Sequence, residues 1–155
     1  MKTLVERLTR YCLMGFVAAL LLCSCEMEAS HNGDLDGFWL LTQVDTLSNQ
    51  HSHPCREELR FWSFQGNLMS TQQLLVVAES TCYFYRFNHE GKRLLVTEPH
   101  EYNRMEGNLP IGDDRLSELA PFGINHSEES FAVEKLNRKH MQLTSETLRL
   151  HFEKY

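Results

Sequence analysis

From residue 131 to the C-terminus, apolar side chains fall on every second position. Phe131 and Val133 alternate with Ala132 and Glu134, and Met141 and Leu143 with Gln142 and Thr144; Leu148, Leu150 and Phe152 alternate with Arg149, His151 and Glu153. Successive residues of a strand point to opposite faces, so this pattern gives one buried and one solvated face, as in antiparallel sheets. The joins, Asn137-Arg138-Lys139 and Ser145-Glu146, are short and polar, as hairpins require.

The same period recurs upstream. It predicts strands at 38–47, at 57–64 with Leu59 and Phe61 on one side, and at 74–78, 82–88 and 93–97, with His89-Glu90-Gly91-Lys92 as a hairpin turn whose Gly supplies a positive φ. Eight strands in a one-domain length form a meander, and closing it into a barrel removes the two edges an open sheet would leave unpaired. One segment departs. Leu116 and Leu119 lie three apart in 113–119, with an Asp available as N-cap and Pro121 as a stop, which predicts a helical turn or two. The expectation is an all-β domain: a small antiparallel up-and-down barrel of about eight strands with one short helical segment.

Ahead of the strands, Lys2, Arg7 and Arg10 precede twelve apolar residues, 11–22. That run is short for a hydrocarbon core about 30 Å thick and suits a secretory signal peptide. The following Leu22-Cys23-Ser24-Cys25 resembles the bacterial lipobox. The resemblance implies cleavage before Cys25 and acylation of that residue, placing the protein on a bacterial envelope membrane, most simply the outer one. Bulky Leu22 makes Cys23 the poorer site. The alternatives are an uncleaved anchor, or ordinary cleavage that leaves Cys25 a free thiol. Residues 1–24 then form a signal peptide, 25–34 a flexible polar tether and 35–155 the barrel. Glu26 and Glu28 loosely resemble acidic signals for the outer face of the outer membrane. Beyond residue 24 the chain holds 12 basic and 20 acidic residues, a balance that argues against nucleic acid or anionic lipid head groups as partners, because phosphate binding needs a basic face.

Gly37-Phe38-Trp39 opens the first strand, and Lys154 shares the inward parity of Leu148, Leu150 and Phe152. A Gly-x-Trp at the start of a meander whose last strand ends in a cation resembles the lipocalin and calycin pattern. In that superfamily the Trp plugs one barrel end and the cation packs across its ring. Arg149, the rival cation, has outward parity. The stretches 119–124 and 143–155 extend the resemblance to lipocalin-like bacterial lipoproteins, which implies a small barrel and a lipid anchor but supplies no catalytic residues. A second lipocalin motif of the Thr-Asp-Tyr type is not found.

The remaining candidates divide between chemistry and packing. Cys55 and Cys82 either pair as an envelope disulfide, worth roughly 3 kcal/mol on the chain-entropy account, or stay as unpaired buried thiols. His51-x-His53-x-Cys55 has the alternate spacing of metal ligands but no fourth donor, and reads as a His-rich loop; no metal or cofactor is expected. There is no Gly-x-Ser-x-Gly elbow, and adjacent Glu57 and Glu58 point to opposite faces of a strand, so no enzyme is expected. Phe61, Trp62, Phe64, Tyr83, Phe84, Tyr85 and Phe87 either line a pocket or fill a small barrel, and filling is the plainer reading. Whether Phe61 faces in, or Trp62 with Phe64, depends on register. Two functions are expected from this sequence. One is non-catalytic binding of a small apolar or amphipathic molecule at the open end, with 116–122 near its mouth. The other is a filled barrel acting as an interaction module for an envelope protein. A cavity of ~300–1,000 Å³ would favour the first.

Overall fold

Strands form where every second residue is apolar, and the computed structural model, which describes residues 30–74, 81–103, 105 and 107–155, carries ten of them. Eight make the barrel: β1 (Gly37–Thr46), β3 (Arg60–Gln65), β4 (Leu68–Gln73), β5 (Cys82–Glu90), β6 (Arg93–Glu101), β8 (Glu129–Leu136), β9 (His140–Thr144) and β10 (Leu148–Lys154). Each pairs antiparallel with its neighbours in chain order, and β10 returns to β1, from Trp39 opposite Lys154 to Thr46 opposite Leu148. The seam gives both terminal strands partners on both sides, so the barrel leaves neither with an open edge. Two short strands are additions. β2 (His51–Pro54) folds back on the far half of β1, and β7 (Leu109–Pro110) adds to the end of β6.

Three segments differ from the sequence expectation. The strand expected at 57–64 begins at Arg60, because Arg56–Glu58 closes a 3-10 turn and Leu59 follows at φ +51°, outside the pleat and 37% exposed. A strand not expected from the sequence lies at Leu68–Gln73, where Met69 and Thr71 point inward; of the strand expected at 74–78, Leu74 lies past the end of that strand and residues 75–78 are outside the described residues. The helical segment is two 3-10 turns, Asp113–Glu118 and Ala120–Phe122, with Gly112 rather than an Asp at the first N-cap and no side-chain cap. The β5–β6 hairpin turns at Gly91 with φ +58°.

The expected signal peptide, the acylation site Cys25 and the first part of the tether also lie outside the described residues. The tether's far end is not loose. Ser30 donates to Asp36 at 2.6 Å, Asn32 donates to the Gly66 carbonyl at 2.7 Å in the β3–β4 turn, and Gly33–Leu35 forms a 3-10 turn. Side-chain hydrogen bonds fix residues 30–34 against the base of the barrel, where flexibility was expected.

Candidate functional site

The base is sealed by residues from both chain ends. Trp39 is fully buried, and its indole N–H donates to the carbonyl of buried Leu35 at 2.8 Å. Lys154 places Nζ 4.8 Å from the Trp39 ring centroid and 2.9 Å from the Asp34 carbonyl oxygen. Such a cation over an indole contributes about 0.5–2 kcal/mol. The geometry also explains the first residue of Gly37-Phe38-Trp39. Gly37 has φ +114°, and a methyl group there would come within 2.9 Å of Lys154 Cε.

Above the base, side chains fill the interior. Trp62 and Phe64 of β3 face in; Trp62 meets Phe152 at 5.0 Å and Phe131 at 5.6 Å, and Phe64 meets Phe87 at 5.1 Å. Tyr83 and Tyr85 also face in, and Tyr85 shares a buried 3.0 Å hydrogen bond with Thr71. Phe61 does not line this space. Register places it on the outside, stacked on Phe38 at 4.8 Å with Tyr155 edge-on at 5.2 Å.

The opposite end is occupied by the chain itself. Ile111, Leu119, Phe122 and Ile124, from and around the two 3-10 turns, are buried in the same core as the strand residues. Trp62 donates its indole N–H to the Phe122 carbonyl at 3.1 Å, so a backbone carbonyl enters the barrel and is satisfied there. Gly123 continues at φ +82°, with room for no methyl group: one would lie 2.6 Å from Leu150. Arg115 latches this plug, donating to Glu101 of β6 and to Glu118, each at 2.7 Å. Those bonds hold the Glu118 carboxyl below its usual range, while burial and the neighbouring Glu118 push the Tyr83 phenol up to about 12. Buried Glu129 accepts the Asn125 and His126 amides, fixing the chain after the plug.

The two cysteines are free thiols, not a disulfide. Cys55 belongs to the interior cluster and points its sulfur at the Leu41 carbonyl, 3.7 Å away. Cys82 precedes inward Tyr83, so its side chain is on the outer face. The wall lies between them. Burial raises both thiols, Cys55 to about 11. The spaced histidines likewise separate: His51 and His53 are exposed, His53 bonds Glu58 at 2.6 Å, and Cys55 is inside. No group of three metal-ligating side chains is found among the described residues.

A Ser, an Asp and a His do meet on the outer wall, unmarked by any sequence motif. His151 bonds one oxygen of Asp45 at 2.7 Å, and Ser52 donates to the other at 2.6 Å. Burial pulls the Asp45 carboxyl up, but the Ser52, His151 and Gln43 bonds outweigh it and hold it at about 2. Both partners converge on the carboxylate, so the imidazole is not placed to take the serine proton, as a nucleophilic triad requires.

Three open concavities, of about 320, 440 and 430 Å³, are lined chiefly by residues of the outer wall and the base. The wall itself has two characters. Across β1, β3, β4 and β5 the outward residues include Phe38, Leu40, Phe61, Ser63, Ser70, Gln72, Cys82 and Phe84, with Phe84 edge-on to Tyr102 at 5.6 Å. Across β8, β9 and β10 they include Glu134, Gln142, Thr144, Arg149, His151 and Glu153.

The family model described as a lipocalin-like domain matches residues 20–155. Among solved structures, a lipocalin-like protein from Bacteroides uniformis is similar, with a TM-score of 0.62 and 24% identity over 79% of this chain and 100% of that one. An uncharacterized protein from Bacteroides eggerthii has a TM-score of 0.60 and 17% identity, covering 78% of this chain and 99% of its own. At such identities the two structures speak to the fold alone. No curated protein matches the chain.

Proposed function

The chain belongs to the lipocalin-like domain family, and from that premise we propose that it is a lipid-anchored envelope protein that binds, without catalysis, a protein partner on the outer wall of a packed barrel. The observation that carries this reading is the Phe122 carbonyl inside the barrel, held by Trp62. The volume that would admit a small apolar ligand is taken by the chain's own Leu119, Phe122 and Ile124.

What remains to bind with is the outside. Two exposed rings stand on the wall formed by β1, β3, β4 and β5: Tyr102, 46% exposed, beside Phe84, and Tyr155, 81% exposed, beside Phe38 and Phe61. Exposed aromatic rings are characteristic anchors of protein contacts. Anchoring at Cys25 sets the distance. From Cys25 to Ser30 an extended chain reaches about 17 Å at most, and residues 30–34 are bonded to the base, so the base end of the barrel would face the bilayer.

Two measurements test the reading. Native mass spectrometry of the protein purified from its own host should show the acylated chain without a non-covalent small-molecule passenger; a stoichiometric apolar passenger would place the binding site inside and overturn it. Cys25→Ala should release the protein from membranes with loss of acyl label. Unchanged fractionation would remove the anchor from the proposal.

A further inference from the structure

The acidic balance of the whole chain hides how unevenly its charges are placed. In an up-and-down barrel alternate hairpins open onto the same end, so the turns after β3, β5 and β8 share the base with the end of β10, where Lys154 lies against Trp39. Every lysine beyond residue 24 falls there: Lys92 in the β5–β6 turn, Lys135 and Lys139 about the β8–β9 turn, and Lys154. Arg86, Arg93 and Arg138 join them. The far end is acidic instead, with Asp113, Asp114 and Glu118 on the plug and Glu128 and Glu146 beside it.

The two ends also use their cations differently. In the far half, Arg60 pairs with Glu58, Arg115 with Glu101 and Glu118, and Arg149 with Glu134. At the base, Arg86 and Arg93 bond the neutral side chains of Asn67 and Ser130. Arg138 stands 4.0 Å from Asp34 and 93% exposed, and exposed Lys92 and Lys139 have no side-chain partner among the described residues. Of the base acids, Asp36 takes Ser30 and Asn32, Glu90 takes Asn88 and Glu153 takes Arg56. Asn137 shapes the β8–β9 turn: its side-chain oxygen accepts the Lys139 and His140 amides, each at 2.9 Å, and the Arg138 and Lys139 side chains are left in solvent. The bonded end of the tether lies on this same rim, because the Asp34 carbonyl accepts Lys154 and the Asp34 carboxylate stands beside Arg138.

We propose that the base of the barrel rests on an anionic lipid surface, with Lys92, Arg138 and Lys139 as the rim that meets the lipid phosphates. The contact rests on the lipid-anchor reading and names what the anchored end touches, since Cys25 lies within about 17 Å of extended chain from Ser30. The acidic far end does not oppose it, because screening at physiological salt confines the interaction to charges within about 8 Å of the surface. Glu26 and Glu28 on the tether do oppose it, so the rim cations, each worth about fivefold in the docked population, have to carry it.

The test places the acylated protein in vesicles of phosphatidylcholine, alone or mixed with phosphatidylglycerol, and follows diethyl pyrocarbonate modification of each side chain by mass spectrometry. Lys92 and Lys139 should react more slowly on the anionic vesicles, and salt of about 1 M, which leaves a screening length of about 3 Å, should erase the difference. Exposed His51, in β2 at the far end, should react alike on both. Arg138→Gln should weaken the protection of Lys92 and Lys139 about fivefold, while Glu146→Gln at the far end should leave it unchanged. Both substitutions are at exposed positions, and an unaltered near-UV spectrum establishes the fold of each. Vesicle flotation and acyl label read the anchor separately. Flotation with equal lysine reactivity on the two vesicles, protection that survives high salt, or equal effects of the two variants would overturn the contact and leave the anchor standing. A chain that neither floats nor carries acyl label would overturn both.

Discussion

Single residues show how short-range sequence signals acquire long-range partners. Lys154 is legible from parity alone: it continues the inward face of Leu148, Leu150 and Phe152, and the inward face at that end meets Trp39. Phe61 is not legible, because in Phe61-Trp62-Ser63-Phe64 both faces of the strand carry a ring, and only pairing with β1 decides that Trp62 opposes Trp39 inside. Asp45 was also invisible, since Ser52 and His151 reach it from two other strands. Its held-down carboxyl makes a definite acid response. In the unfolded chain Asp45 takes up its proton near 3.8, in the folded protein only near 2, so its contribution is complete above about pH 4 and is lost as pH falls toward 2. Asp45→Asn should therefore lower stability at pH 7 by about 1 kcal/mol and flatten the acid limb of the urea midpoint between pH 4 and 2. An unchanged acid limb would mean that the Ser52 and His151 bonds are not maintained in solution.

At the scale of elements, the strands of the C-terminal third are readable because short turns join them and one face stays in water. β4 is harder. Leu68 to Gln73 offers only Met69 and Thr71 as inward residues, and the richer apolar run that follows it draws the eye to 74–78. The plug was legible as an irregular segment with Leu116 and Leu119, but not as barrel filling. Its defining bond joins Trp62 to a backbone carbonyl sixty residues away, which no local pattern encodes. Because that segment is part of the core and not a cover over it, its deletion phenotype follows. Phe122→Ala removes a buried ring that meets Tyr83 at 6.0 Å, and should cost about 3–5 kcal/mol. Intrinsic fluorescence should shift to the red as water reaches Trp62. A variant of near wild-type stability, with unshifted emission, would mark the plug as a detachable lid over an interior site.

For the whole molecule the decisive contact is the seam. β10 pairs with β9 on one side and with β1 on the other, and it carries Leu150, Phe152 and Lys154 into the interior from its inward face. In an open sheet the last strand is an edge: losing it exposes one row of backbone groups and a strip of apolar surface, and the remainder can persist. In a closed barrel its loss opens both neighbours together and uncaps the base, because Trp39 loses Lys154 as it loses its strand partner. The core rings that touch Phe152, Trp62 among them, lose their packing in the same step. Ending the chain at Arg149 should therefore abolish the cooperative urea transition and the near-UV signal of the buried tryptophans altogether, in place of a partial loss proportional to six missing residues. A truncated chain that kept a cooperative transition with an intact Trp signal would show that the first seven barrel strands stand alone, and that closure is not what holds this domain together.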